Sequence, residues 1–230
     1  MSNLQIFEPL HIKILILIIS SWIIIPIIGN QIKEKTWIFY ISIILAILAL
    51  FQEIFMVLYR MNNGSFEITQ HLPIHLCSFA VFCSSYALLT KNQIAFELSF
   101  YWGLTGTLQA LFTPSPEQPF PHLEFIMFFF SHSLVVLIVI WMIFIIRMKI
   151  GKYSWIRAFI VTNIIALIIG LLNLILDANY LFLCKKPPVN HVLLVGDEPF
   201  HIISFEIWAI IFFSSMYQIM KYFNRVSHSN

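Results

Sequence analysis

The chain has 230 residues, of which 60% are hydrophobic and only 10% charged, with a formal net charge of +2. A soluble domain carries about 25% charged residues, so a mean hydropathy of +0.87 excludes an ordinary water-soluble fold. The small net charge gives no ground for a nucleic-acid partner. Three cysteines, Cys77, Cys83 and Cys184, lack paired spacing, so neither a disulfide framework nor a zinc pattern is expected. No metal or other cofactor is expected.

Several runs reach the ~20 apolar residues that a bilayer span needs. They predict an all-α, multi-pass membrane bundle of seven transmembrane helices, one integral membrane domain over 1–230. The spans fall at 10–29, 37–59, 73–90, 94–113, 123–147, 155–176 and 200–222. The first has no basic region before it and no small-residue cleavage site after it, so it reads as a retained span rather than a signal peptide. Pro26 ends or kinks it near its exit. Trp37 and Trp155 open the second and sixth as interface anchors. Pro73 suits the first helical turn of a short third span. Residues 114–122 form a rigid proline-rich connection and 177–199 a longer one of mixed charge. With seven spans, nine of the 13 basic residues fall on one side and four on the other. The basic side is expected to be cytoplasmic, which puts the N-terminus outside and the C-terminus inside a cell membrane.

A polar group in hydrocarbon is costly unless it finds a partner, so intramembrane polar residues should face the interior. Gln52 and Glu53, His75 and Cys77, Gln109 and Thr113, Glu124, Asn173 and Asp177, and His201 and Glu206 fall in the outer half, with His132 about 13 Å deeper along its own span, near the midplane. Glu97 and Asn163 fall in the cytoplasmic half. In the fourth span Tyr101, Thr105, Gln109 and Thr113 recur every four residues, beside a small-residue stripe of Ser99, Gly103, Gly106 and Ala110. The small stripe reads as a helix-packing seam. The polar one either lines a cavity or forms interhelical hydrogen bonds. In the sixth span Asn163, Ala166, Gly170, Asn173 and Asp177 form one inward stripe.

Cys77 is the one nucleophile with a specific setting. With Pro73 as the first helical residue it lies about one turn in, where unpaired N–H groups and the helix dipole favour negative charge. His75, two residues away, points elsewhere on a helix. A base must therefore come from another span, and His132 is the histidine placed for it, with Asn173 or Asp177 to orient the ring. The other reading keeps Cys77 as a small buried hydrophobe and His132 as a satisfied core histidine. His71 and His75 have the i, i+4 spacing of metal ligands, but Pro73 separates them and no third ligand is defined. Capping and headgroup contact are the readings preferred for them. Glu206 is a functional candidate because a charge at that depth is costly. His132 with Glu206 or Asp177 would alternatively make a proton relay for transport.

Several blocks carry a family resemblance. They are His71–Leu72–Pro73–Ile74–His75–Leu76–Cys77, then Phe100 to Pro114 (FYWGLTGTLQALFTP), Phe120–Pro121–His122 and Phe129–Phe130–Ser131–His132. Gly170–Leu171–Leu172–Asn173 and Asn179–Tyr180–Leu181–Phe182–Leu183–Cys184 complete the set. Together they resemble the YwaF-type integral membrane protein family of bacteria. That family is distantly similar to eukaryotic transmembrane acyltransferases that remodel ether phospholipids. The resemblance implies a seven-helix bundle, membrane phospholipids as substrate, an acyl-cysteine intermediate on Cys77 and His132 as base. It adds Asn179 and Tyr180 to His71, His75, Gln109, Thr113 and Glu206 as candidate substrate contacts. The alternative is a transporter or a lipid-binding membrane protein that uses the same pocket.

Overall fold

The computed structural model describes residues 6–186 and 195–226. All regular structure among them is helical: α1 (Pro9–Gln31), α2 (Lys35–Asn62), α3 (Leu76–Thr90), α4 (Gln93–Trp102), α5 (Leu108–Phe112), α6 (Leu123–Phe144), α7 (Ser154–Leu176) and α8 (His201–Val226). A π-helical turn, Gly103–Thr107, joins α4 to α5 into one rod. The described residues thus form a bundle of seven helical rods, one for each expected span. By length and hydropathy α1, α2, α6, α7 and α8 can each cross a membrane, and α3 is a shorter apolar helix of 15 residues.

The core lies where α3, α4 and α6 meet. Its largest buried side chains are Trp102, Trp141, Tyr101, Phe96, Phe100 and Met142. Helix α2 packs on α3 and α6, and α1 joins through α6. Helix α7 reaches α4 and α8, and α8 touches the π-turn. The outer faces of α1 and α7 are almost wholly isoleucine and leucine, as a lipid-facing surface requires.

Inside the bundle the polar groups are paired between rods. Trp141 Nε1 donates to Ser42 Oγ at 3.0 Å, Trp102 Nε1 to Thr162 Oγ1 at 2.8 Å and Trp22 Nε1 to the Ser133 carbonyl at 3.0 Å. His11, fully buried, accepts from Phe7 N–H and bonds the Leu111 carbonyl at 2.8 Å, tying α1 to α5. Close approach has its own requirement: a Cβ on Gly29 would lie 2.5 Å from the Trp141 ring.

The end carrying the α4 N-terminus is held by Glu97. This side chain is 2% exposed, and Arg157 reaches it through Nη2 at 2.6 Å and Nε at 3.0 Å. Gly151 N–H and Gln93 Nε2 satisfy the other carboxylate oxygen. One carboxylate therefore ties α4, α7 and the 144–154 connection together.

Two expectations are corrected. The third helix begins at Leu76, not Pro73. The Tyr180 hydroxyl accepts from Leu72 N–H at 3.0 Å and donates to the Ile68 carbonyl at 2.6 Å. These are the donor and acceptor of a would-be helical i→i−4 bond, so the phenol stands where that bond would close. Pro73 brings no N–H to continue a turn. His71 and His75 consequently do not share a helical face. The stripes of the fourth span are also broken. Leu108 N–H reaches back five residues to the Gly103 carbonyl, and the residue a π-turn adds rotates everything after it. Gly103 lets this wider turn press on α6, since a Cβ there would meet Val135 and Val139 at 3.2 Å.

Glu97 is the buried member of the pair and Arg157 stays 41% exposed, so removing the carboxylate chiefly leaves Gly151 N–H and Gln93 Nε2 without their acceptor. Glu97→Ala should therefore lower stability by about 2 kcal/mol, read as a depressed melting midpoint in detergent, while Lys91→Ala, at an exposed cap, should change little.

Candidate functional site

The site is built around the first turn of α3. His75 is the N-cap and makes no side-chain cap, so the first-turn N–H groups are not covered from that side. Cys77 is the second helical residue and is half-buried. The backbone leading into it is positioned from the α7–α8 connection. Asn173 Nδ2 donates to the Tyr180 carbonyl at 2.9 Å, and Tyr180 N–H donates back to Asn173 Oδ1 at 2.8 Å. Tyr180 is thereby held with its hydroxyl between Ile68 and Leu72, its ring 5.0 Å from the His75 ring. Burial pushes the Tyr180 phenol above its ordinary pKa, with the Leu72 N–H opposing, so the phenol keeps the proton it donates to Ile68.

Three other elements bring polar groups to this turn. From α2, Gln52 Nε2 donates to Glu53 Oε2 at 3.0 Å and to Ser131 Oγ at 3.1 Å on α6. Beside Ser131, His132 Nδ1 bonds the Phe128 carbonyl at 2.7 Å. A carbonyl can only accept, so Nδ1 carries the hydrogen and the neutral ring keeps a lone pair on Nε2. The Glu53 carboxylate is an electrostatic neighbour of both Cys77 and His132. From the π-turn, Thr107 faces the Cys77 thiol, though its Oγ1 completes no regular hydrogen bond.

The structure thus collects Cys77, His132, Glu53, Gln52, Ser131 and Thr107 from four rods. No hydrogen bond joins Cys77 to His132, and neither Asn173 nor Asp177 orients the imidazole. Both polar atoms of the Asn173 side chain are taken by the Tyr180 backbone. Asp177 is exposed, in the left-handed conformation (φ 53°) that ends α7. The remaining candidates are spread out. Glu206 accepts from Asn163 Nδ2 at 3.0 Å, between α8 and α7. Asn179 Oδ1 accepts from Cys184 and Lys185 N–H within its own loop. Thr113 Oγ1 donates to the Gln109 carbonyl at 3.0 Å. His201 bonds the Phe182 carbonyl at 2.8 Å. His75 Nε2 lies 3.4 Å from the Gln70 carbonyl.

His71 belongs to a charged cluster at the end of the bundle. Its Nδ1 accepts from Glu67 N–H at 2.8 Å and its Nε2 lies 3.4 Å from Glu117 Oε2. Arg60 joins Glu117 at 3.0 Å and Glu124 at 2.9 Å. His71, Glu67, Glu117 and Glu124 border a recess of about 450 Å³, also lined by Tyr59, Asn63 and His122. No group of three metal-ligating side chains occurs among the described residues.

Glu53 and Thr107 are the members that sequence reasoning ranked too low or passed over. Glu53 stands among intramembrane carboxylates with nothing local to distinguish it. Thr107 had one available signal: it closes the stretch Gly103–Leu104–Thr105–Gly106–Thr107, whose two glycines ease a wider turn.

The profile of the TMEM164 family matches residues 6–217. An uncharacterized protein of Treponema pallidum (strain Nichols) is 29% identical over 116 residues, which is 50% of this chain and 48% of that protein. The chain thus spans about half the length of the curated relative it matches. No solved structure matches.

Tyr180→Phe keeps the ring and removes the hydroxyl that serves both Ile68 and Leu72. It should cost about 1–2 kcal/mol and raise amide hydrogen exchange across residues 68–77, leaving exchange in α6 near its original level.

Proposed function

Because the chain belongs to the TMEM164 family and carries this site, we propose that it is a cysteine-dependent lipid acyltransferase or transacylase. The observation that carries the reading is the half-buried Cys77 thiol beside Glu53, within a bundle whose outer surface is made for lipid. His132, with its Nε2 lone pair, shares that carboxylate as neighbour. The blocks that resemble the YwaF-type family, His71 to Cys184, all fall inside the matched 6–217.

In this reading the Cys77 sulfur attacks the carbonyl carbon of a phospholipid ester, and His132 Nε2 takes the thiol proton. Glu53 stabilises the imidazolium that forms, the part first assigned to Asn173 or Asp177. The tetrahedral adduct collapses with cleavage of the carbon–oxygen ester bond. The departing lysophospholipid oxygen takes the proton from His132, leaving an acyl thioester on Cys77. A hydroxyl of a second lipid then attacks the thioester, and the same steps in reverse restore the thiol. The distribution of basic residues favours an outward-facing site in a cell membrane, with the N-terminus outside. His71, on the rim of the charged recess, stands where a phospholipid headgroup would meet the α2–α3 connection.

A second reading has one observation in its favour. The Asn163–Glu206 pair places a carboxylate between α7 and α8, and an intramembrane acid of this kind suits a transporter. Substrate-dependent uptake into proteoliposomes that is lost in Glu206→Gln would select it.

Intact-protein mass spectrometry after incubation with mixed phospholipids tests the first reading. Wild type should gain a hydroxylamine-labile acyl mass that Cys77→Ala lacks. His132→Asn should slow its appearance about 100-fold, the scale of a lost general base. Lipid binding without any adduct on wild type would overturn acyl transfer.

A further inference from the structure

Thr107 ends the π-turn and is 1% exposed. Several other hydroxyls within the helices are paired with a carbonyl one turn back, and Ser85 and Ser131 find partners on a neighbouring helix. Ser84 donates to Val81, Ser99 to Phe96, Thr105 to Tyr101 and Thr162 to Ala158. This back-bonding is the ordinary outlet for a helical serine or threonine. At Thr107 the carbonyl four residues back, on Gly103, already accepts Leu108 N–H, and Oγ1 has no hydrogen-bond partner. A buried unpaired hydroxyl in a low-dielectric interior is costly, so its retention calls for an explanation.

Its surroundings supply one. The π-turn packs on the start of α3, where a Cβ on Gly106 would touch Leu76 Cδ2 at 4.0 Å. The residue after Leu76 is Cys77, whose thiol Thr107 faces. The same first turn of α3 has no side-chain cap. An unpaired hydroxyl and uncapped N–H groups therefore converge on one sulfur.

We propose that the Thr107 hydroxyl, together with first-turn N–H groups of α3, is the oxyanion donor for acyl transfer at Cys77. The ligand it takes is the carbonyl oxygen of a neutral carboxylic ester or thioester. When sulfur bonds to the carbonyl carbon, the carbon–oxygen π pair moves onto oxygen, and this oxygen accepts the Thr107 O–H hydrogen bond. Thr107 gives up no proton, and the bond is released when the carbonyl re-forms and the lysophospholipid leaves. Its oxygen is buried against the Cys77 thiol and makes no hydrogen bond of regular geometry in the resting protein, so it is free to turn to an oxyanion formed there, as such donors must. This rests on the acyl-transfer reading above.

Thr107→Val keeps the shape and removes the donor; Thr107→Ser keeps the donor. The full-length protein is incubated with mixed phospholipids, and acylation of Cys77 is timed by mass spectrometry of its peptide. In parallel, Cys77 is alkylated with iodoacetamide, a displacement at carbon that forms no oxyanion. Thr107→Val should slow acylation about 100-fold and leave alkylation within about threefold of wild type. Thr107→Ser should keep acylation within about tenfold. If the valine variant does not fold, Thr107→Ala takes its place. Acylation at the wild-type rate in Thr107→Val would overturn the donor role while leaving Cys77 as nucleophile. An equal fall in acylation and alkylation would also overturn it, because the hydroxyl would then be positioning the thiol. A wild-type protein that alkylates at Cys77 but never acylates would overturn the acyl-transfer reading and this inference with it.

Discussion

The Tyr180 hydroxyl sits between Leu72 N–H and the Ile68 carbonyl, 3.0 Å from one and 2.6 Å from the other. It holds apart two groups that would otherwise close a helical turn. The consequence is a helix that starts at Leu76 rather than earlier, with Cys77 in its first turn instead of deeper along it. First-turn N–H groups lack intrahelical partners, so this starting point decides whether the thiol meets free donors or a closed ladder. Asn173, anchored in α7, sets where Tyr180 stands, so the geometry of α3 is written partly in the α7–α8 connection.

The membrane makes every polar group inside the bundle consequential. At one end a single carboxylate, Glu97, is fully satisfied by Arg157, Gln93 and Gly151, and it serves to lock rods together. At the other end Arg60, Glu117, Glu124 and His71 form a more open cluster around a recess. Between them, Gln52, Glu53, Ser131 and His132 make a partly connected patch, with Thr107 unpaired beside it. This gradient from satisfied to unsatisfied separates structural polarity from polarity available to a ligand.

The seven spans were legible because hydrocarbon thickness demands runs of apolar residues, and runs are a local property. Cys77 was legible as a candidate because a cysteine close behind a proline-containing polar segment stands out locally. Asn173 was noticed too, but its task was not. A stripe on α7 correctly turned it inward, yet nothing near it in the chain says that it clasps the Tyr180 backbone. Asp177 continued the stripe on paper and left it in the structure, because α7 ends there in a left-handed residue. The four-residue periodicity of Tyr101, Thr105, Gln109 and Thr113 failed for a related reason: it assumed an unbroken α-helix across a π-turn.

Composition and run length by themselves determined that this chain lives in a membrane as a helical bundle, since unpaired backbone cannot be tolerated in hydrocarbon and only helices or closed barrels satisfy it. They also determined which rods carry cysteine, histidine and carboxylate. Only the tertiary structure decided which of these meet. Glu53 and His132 lie 79 residues apart along the chain, as do Gln52 and Ser131; Ile68 and Tyr180 are 112 apart. Pairings over such distances depend on the rotation of each rod about its axis. That rotation is set by side-chain packing between rods and, here, by one extra residue in the π-turn, neither of which a local pattern encodes.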